Sequence, residues 1–255
     1  MNRTDTPLKF MRADLALVEA GLVSTRSKAL QYIEAKQVYY GDKLVLKASE
    51  KVKLDGLKLV GENQFVSRGA LKLKKAFEEF NLSFHDLTMA DIGASTGGFT
   101  DFALSKGAKK IYAIDVGIDQ LDPKLKNDPR VIECTGVNIK HPFVLQELVD
   151  FIVADLSFIS LTKVLVNVGA LMKPGAFGVI LIKPQFEVGP DSLGKNGIVK
   201  DAALHRQVCT RIKDFLQDHH FKFLAECESP IKGKSGNTEF LFYIQKCEDR
   251  NDECK

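Results

Sequence analysis

From residue 67 onward, short apolar runs alternate with helical patterns, and few folds accept that rhythm. The runs are MADIGA, KIYAIDV, RVIECTG, FIVADLSF and GVILIKP, with a longer helical pattern over about 201–219. Such alternation predicts a mostly parallel sheet covered by helices on both faces, joined by right-handed crossovers. Two final runs, FKFLAEC and EFLFYIQK, lie close together and predict one antiparallel insertion at a sheet edge.

The first sixty residues follow another pattern. Apolar Leu15, Leu17, Val18 and Leu22 predict a first helix. Ser24 can cap a second helix, whose apolar face is Ala29, Leu30 and Ile33. VYY and KLVLK form a hairpin through Gly41-Asp42, and KVKL closes a small sheet. The expected organisation is a small α+β module over 9–60, a connector over 61–66, a doubly wound α/β domain over 67–246 and a disordered tail over 247–255.

Charge separates the two parts. Residues 1–66 carry 11 Lys/Arg against 8 Asp/Glu, whereas residues 67–255 carry 25 of each. The basic excess is compatible with a polyanion partner and equally with a solvated basic face. Arg12, Arg26, Lys28 and Lys47 are the candidate phosphate contacts. The five cysteines lack CxxC or metal-finger spacing and read as reduced thiols of a cytoplasmic protein, with no metal site. No apolar run reaches the 18 or so residues of a membrane span, and the N-terminus does not read as a secretion signal.

The segment Asp91-Ile92-Gly93-Ala94-Ser95-Thr96-Gly97-Gly98-Phe99-Thr100 follows a strand and opens a helix. The next strand ends at Asp115, an acid placed to accept hydrogen bonds from two ribose hydroxyls. The spacing G-x-x-x-G-G after an acid differs from the dinucleotide fingerprint. It suits a ligand with a ribose and an ammonium group but no pyrophosphate, which points to S-adenosylmethionine with Asp91 near its ammonium. Glycines alone would serve other doubly wound enzymes as well.

Four charged residues stand where apolar ones would serve structure better. Lys72 precedes the first main strand, Asp155 ends the fourth, Lys183 ends the fifth and Glu239 begins the last. Carboxyl ends of strands border the ligand crevice, so Asp155 and Lys183 face the cofactor together. Spacing alone leaves Lys72 and Glu239 open. Methylating a sugar hydroxyl requires in-line positioning and removal of a proton, and Lys183 is the expected base, with Lys72 nearby to help set its pKa. An amine acceptor calls for an Asn/Asp-Pro-Pro-aromatic turn where this chain has Asp155-Leu156-Ser157-Phe158, and a pyrimidine carbon calls for a cysteine near the cofactor. Ribose oxygen remains.

In these residues the sequence resembles the TlyA (haemolysin A) family of ribosomal RNA methyltransferases over nearly its whole length. RADLALVEAGL and STRSKALQYIEAKQVYYGDK, with Lys47, resemble the family's small RNA-binding domain. VSRGALKL, DIGASTGGFTD, IDVGIDQL, NDPRV, VADLSFISL, KPQFEVG and SGNTEF resemble an FtsJ-type 2′-O-methyltransferase. The resemblance implies a Rossmann-like seven-stranded sheet and a Lys-Asp-Lys-Glu catalytic set at Lys72, Asp155, Lys183 and Glu239. It implies donor contacts from the Asp91–Phe99 loop, Asp115, Val116, Asn138, Asp155 and Phe158, and places Arg68 among the RNA contacts. Asn138-Ile139-Lys140 departs from the family's usual Asn-Ala-Arg. The implied substrate is a cytidine ribose in ribosomal RNA. The short segment after Gln245 points to the branch acting on the large subunit alone. A pore-forming cytolysin and a non-catalytic RNA-binding protein are the alternatives.

Overall fold

The computed structural model describes residues 10–23, 25–60, 65–189, 192–233 and 235–248. The capping position Ser24, most of the connector and the tail from 249 lie outside them. The chain divides into two compact units, Met1–Gln64 and Phe65–Lys255.

In the first unit, α1 (Ala13–Glu19) and α2 (Arg26–Glu34) pack over short strands. Thr25 is the cap of α2, its hydroxyl accepting from the Lys28 amide at 3.2 Å. The buried face of α1 is Ala13, Asp14, Ala16 and Leu17, while Leu15 and Leu22 are exposed. The expected stripe was displaced because small alanines let the helices approach closely, and the larger leucines were left outside. Leu30 is likewise exposed, and Ala29 with Ile33 carries the face of α2. Strand β2 (Val38–Tyr40) pairs with β3 (Lys43–Leu44) through the expected Gly41-Asp42 turn. Its other partner is β5 (Leu57–Leu59), a strand the sequence pattern did not disclose. The KVKL segment contributes β4 (Lys51–Val52), which pairs instead with β1 (Met11–Arg12) in a separate ribbon.

The second unit is a seven-stranded sheet. Its strands are β6 (Thr88–Ile92), β7 (Lys110–Asp115), β8 (Val131–Thr135), β9 (Val149–Ala154), β10 (Met172–Ile182), β11 (Phe221–Glu228) and β12 (Phe240–Lys246), in the order β11-β12-β10-β9-β6-β7-β8. Five strands are parallel, as alternation predicts. β12 runs antiparallel between β10 and β11, so the insertion lies one place inside the edge rather than at it. Near-continuous apolar strands suit a sheet buried on both faces. Side chains alternate between two cores. Ala90, Ile92, Ile152, Ile180 and Ile182 pack under α6 (Leu165–Ala170) and α8 (Ala202–Asp218). Met89, Ile111, Phe151, Val179 and Leu241 pack under α3 (Gly69–Glu79), α4 (Gly98–Ser105) and α5 (Pro123–Lys126).

The chain starts in mid-sheet at β6, moves out through β7 to β8, then crosses to β9 and β10. Strand order therefore reverses between β6 and β9, and crevices form at such points beyond the carboxyl ends of the strands. Among the described residues, Cys134, Cys209 and Cys227 are free thiols.

Candidate active site

The turn after β6 lies against the loop after β9 because Gly93 has no side chain. Its φ is +83°, and a Cβ there would stand 2.6 Å from the Asp155 carbonyl oxygen. At this reversal point lies a cleft of about 520 Å³, within the range of roughly 300–1,000 Å³ typical of small-molecule sites. Gly93 and Ser95 border it after β6, Asp115 and Val116 after β7, Asn138 farther along, and Asp155 through Ile159 after β9.

Two acids stand at the strand ends near the cleft; Asp115 lines it and Asp91 does not. Asp115 is fixed by backbone amides, Gly117 donating to Oδ1 at 2.7 Å and Ser95 to Oδ2 at 2.8 Å, which leaves lone pairs for ligand hydroxyls. Asp91 is buried at the end of β6. Its Oδ2 accepts from the Thr100 amide at 2.9 Å and the Thr100 hydroxyl at 2.7 Å, while Oδ1 is buried with no donor among the described residues. Burial pushes this carboxyl up to about 7. The orphaned Asp91 oxygen suits an ammonium group, and Asp115 with the exposed Val116 at the cleft suits a ribose and a flat ring, the groups that S-adenosylmethionine carries.

Not every residue of the glycine loop borders the cleft. Ala94, Thr96, Gly97, Gly98 and Phe99 do not line it. Phe99 is buried in the core beneath α3. Gly97 adopts φ +91° to start α4, and a side chain there would collide with Leu125 and Leu121. A Cβ on Gly98 would lie 3.0 Å from the Ala70 amide. These two glycines admit neighbouring helices rather than a ligand. Conversely, Leu156, Ser157 and Ile159 line the cleft although no sequence signal marks them for a role there.

Parallel register brings the charged residues together. Ala154 pairs with Ile180 and Ile182 with Phe240, so Asp155, Lys183 and Glu239 emerge side by side at the rim. Because β12 is antiparallel, its beginning reaches the same rim as the ends of its neighbours. Lys72 joins from α3. Its ammonium lies 2.7 Å from Glu239 Oε2 and 3.2 Å from Asp155 Oδ2. Lys183 lies 2.6 Å from Asp155 Oδ1 and donates to the Ser157 hydroxyl at 2.8 Å. Lys72 and Lys183 are each 8% exposed and Glu239 2%. Burial lowers the Lys72 pKa, but Asp155 and Glu239 together outweigh it and raise the value above that of an ordinary lysine. Lys72 is therefore a lasting cation, not a second base. Lys183 has one carboxylate partner where Lys72 has two.

Two buried side chains support this rim, and neither is distinguishable by spacing. Asn237 accepts from the Val199 amide at 2.9 Å and donates to the Gly197 carbonyl at 3.1 Å, tying the segment before β12 to a distant loop. Glu187 closes the short helix α7 (Pro184–Glu187) and holds the far end of the loop after β9. Both occur within motifs visible in the sequence, but such ties depend on which loops meet. Among the described residues, no group of His, Cys, Asp and Glu could hold a metal ion.

Residues 65–246 match the FtsJ-like methyltransferase family, and residues 11–56 match the S4 domain. The 16S/23S rRNA (cytidine-2′-O)-methyltransferase TlyA of Mycobacterium tuberculosis is 37% identical over 244 residues, spanning 94% of this chain and 91% of that one. The chain belongs to the TlyA family of FtsJ-like methyltransferases. The 23S rRNA (cytidine-2′-O)-methyltransferase TlyA of Campylobacter jejuni is 34% identical, covering 92% of this chain and all of its own. A solved Streptococcus thermophilus structure named as a hemolysin superposes with a TM-score of 0.75 at 38% identity, covering 96% of this chain and 92% of that one. Like its family, this TlyA-type chain is a methyltransferase dependent on S-adenosylmethionine. Among its described residues no helix is long and apolar enough to cross a membrane.

The S4 unit of this TlyA-type chain carries four of the five basic residues marked for RNA. Arg12 and Arg26 converge on Asp14, which is 1% exposed, at 2.9 and 2.8 Å. The Arg12 guanidinium, helped by Arg26, holds the Asp14 carboxyl down at about 2. Both arginines keep much of their surface open. Lys28 lies in the first turn of α2, and Lys47 is exposed. Arg68 precedes α3 and belongs to the methyltransferase unit.

Proposed function

We propose that this chain transfers a methyl group from S-adenosylmethionine to the 2′-hydroxyl of a cytidine ribose in large-subunit ribosomal RNA, in the cytoplasm. The observation that carries the reading is Asp155, at the end of the cleft, shared between Lys72 and Lys183. Two acids and two ammonium groups balance before the donor arrives. A sulfonium entering beside them adds a positive charge and favours loss of one proton. Lys72 is held by two carboxylates and keeps its proton, whereas Lys183 has one carboxylate partner. Lys183, once unprotonated, would take the 2′-hydroxyl proton, and S-adenosylmethionine would supply the methyl group to that oxygen. The Ser157 hydroxyl, which Lys183 now holds, marks a place where a ligand hydroxyl can be received.

The acceptor assignment draws on the names of both TlyA relatives, which share cytidine 2′-oxygen and 23S rRNA. The module over 9–60 would dock on folded RNA through Arg12, Arg26, Lys28 and Lys47, with Arg68 a further contact, and the domain over 67–246 would act on a nucleotide turned out of its stack.

The decisive measurement maps 2′-O-methylation across ribosomal RNA with and without the protein. Lys183→Ala should lower methyl transfer at least about 100-fold while calorimetry still detects donor binding. Turnover near the normal rate would remove Lys183 from the role of base.

A further inference from the structure

The wall of the cleft formed by residues 155–159 is a loop, and α7 fastens it at three successive points. Lys183, just before α7, grips Asp155 and the Ser157 hydroxyl. Phe186 sets its ring 5.1 Å from that of Phe158. Glu187 accepts from the Ser160 hydroxyl at 2.7 Å and from the Leu161 amide at 2.8 Å, while Arg211 on α8 approaches its carboxylate at 3.2 Å and donates to its carbonyl at 2.5 Å.

These fastenings differ in permanence. The Phe158–Phe186 contact is exposed, Phe158 being 90% accessible, and Phe158 is held at φ +64°, a conformation costly for a bulky L-residue. The Lys183 contacts must be given up whenever Lys183 turns to a substrate hydroxyl. Glu187 is buried, its side chain 1% exposed, and both its oxygens are engaged. A bidentate buried carboxylate is strong and geometrically specific.

We infer that Glu187 is a positioning residue for methyl transfer. It keeps the loop after β9 closed on the donor during the interval when Lys183 has released Asp155 and Ser157. This role rests on the reading of Lys183 as the base, but not on the identity of the RNA.

A double-mutant cycle on the full chain tests it, with the dissociation constant of S-adenosylmethionine read by calorimetry and folding checked by thermal unfolding. Lys183→Ala alone should leave donor affinity within about twofold. Glu187→Ala alone should weaken it about fivefold, and Glu187→Gln, which keeps one acceptor for the Leu161 amide, should restore most of that loss. With Lys183 already removed, Glu187→Ala should weaken binding by about fiftyfold, a coupling expected only between parts of one fastening. Additive effects, or unchanged affinity in a folded Glu187→Ala protein, would overturn the inference. If Glu187→Ala does not fold, Ser160→Ala takes its place in the cycle: greater-than-additive loss with Lys183→Ala supports the role and additivity rejects it. No methyl acceptor enters these measurements, so a wrong RNA assignment would leave their outcome unchanged.

Discussion

Asp91 has its two carboxylate oxygens in different surroundings. One oxygen secures the start of α4 through Thr100, and the other is buried without a donor. Burial pushes its pKa up from the ordinary 3.8 to about 7, so folding favours the protonated form and stability from this group declines as pH rises from about 4 through 7. An ammonium ligand acts in the opposite sense, because it favours the carboxylate. Donor affinity should therefore rise between pH 6 and pH 8, with protons released on binding near pH 7. Calorimetry in buffers of different ionisation enthalpy measures both effects. Asp91→Asn should weaken binding and flatten the pH profile, whereas an equally steep profile in that variant would assign the titration elsewhere. The acid was legible in the sequence because it ends a strand before a glycine turn. Its division of labour was not, since Thr100 reaches it only after α4 has formed.

Among the elements, the turns at the rim are under the tightest steric control. Gly93→Ala would put a methyl group against the Asp155 backbone at φ +83°. A backbone neighbour cannot swing aside as a side chain can, so the expected cost is at least about 2 kcal/mol, with the loss of most donor affinity. Urea unfolding and donor titration on the same preparation check the pair of effects. The long parallel strands were readable because five or six consecutive apolar residues leave little else to form. The two- and three-residue strands of the S4 unit carry no comparable period, so neither β5 nor the separate β1–β4 ribbon was legible in the sequence. Spacing left Lys72 and Glu239 open for a related reason. Neither ends a parallel strand: Lys72 reaches Asp155 only through the placement of α3, and Glu239 reaches Lys72 only through the reversed direction of β12.

Considered whole, the molecule separates charge from chemistry. The basic excess belongs to the first 66 residues, while the remainder balances. RNA affinity of the intact chain should fall steeply with salt, linearly on logarithmic axes, and Arg26→Ala should reduce that slope by about one unit while leaving donor affinity untouched. Filter binding across a salt series measures it, and an unaltered slope would show that Arg26 serves only to neutralise Asp14. The doubly wound fold and its crevice followed from the order of elements, which is written along the chain. Which residues of the glycine loop face ligand and which face helix was decided by packing, as Gly97, Gly98 and Phe99 illustrate.

The placement of β12 has a consequence for synthesis. This strand is made after both neighbours between which it lies, and Glu239 stands at its threshold. A growing polypeptide that has emerged only through β11 still lacks that carboxylate and the strand that fills the place between β10 and β11. On the proposed reading of the site, competence would arrive only with β12, and a chain ending before it should not transfer methyl groups.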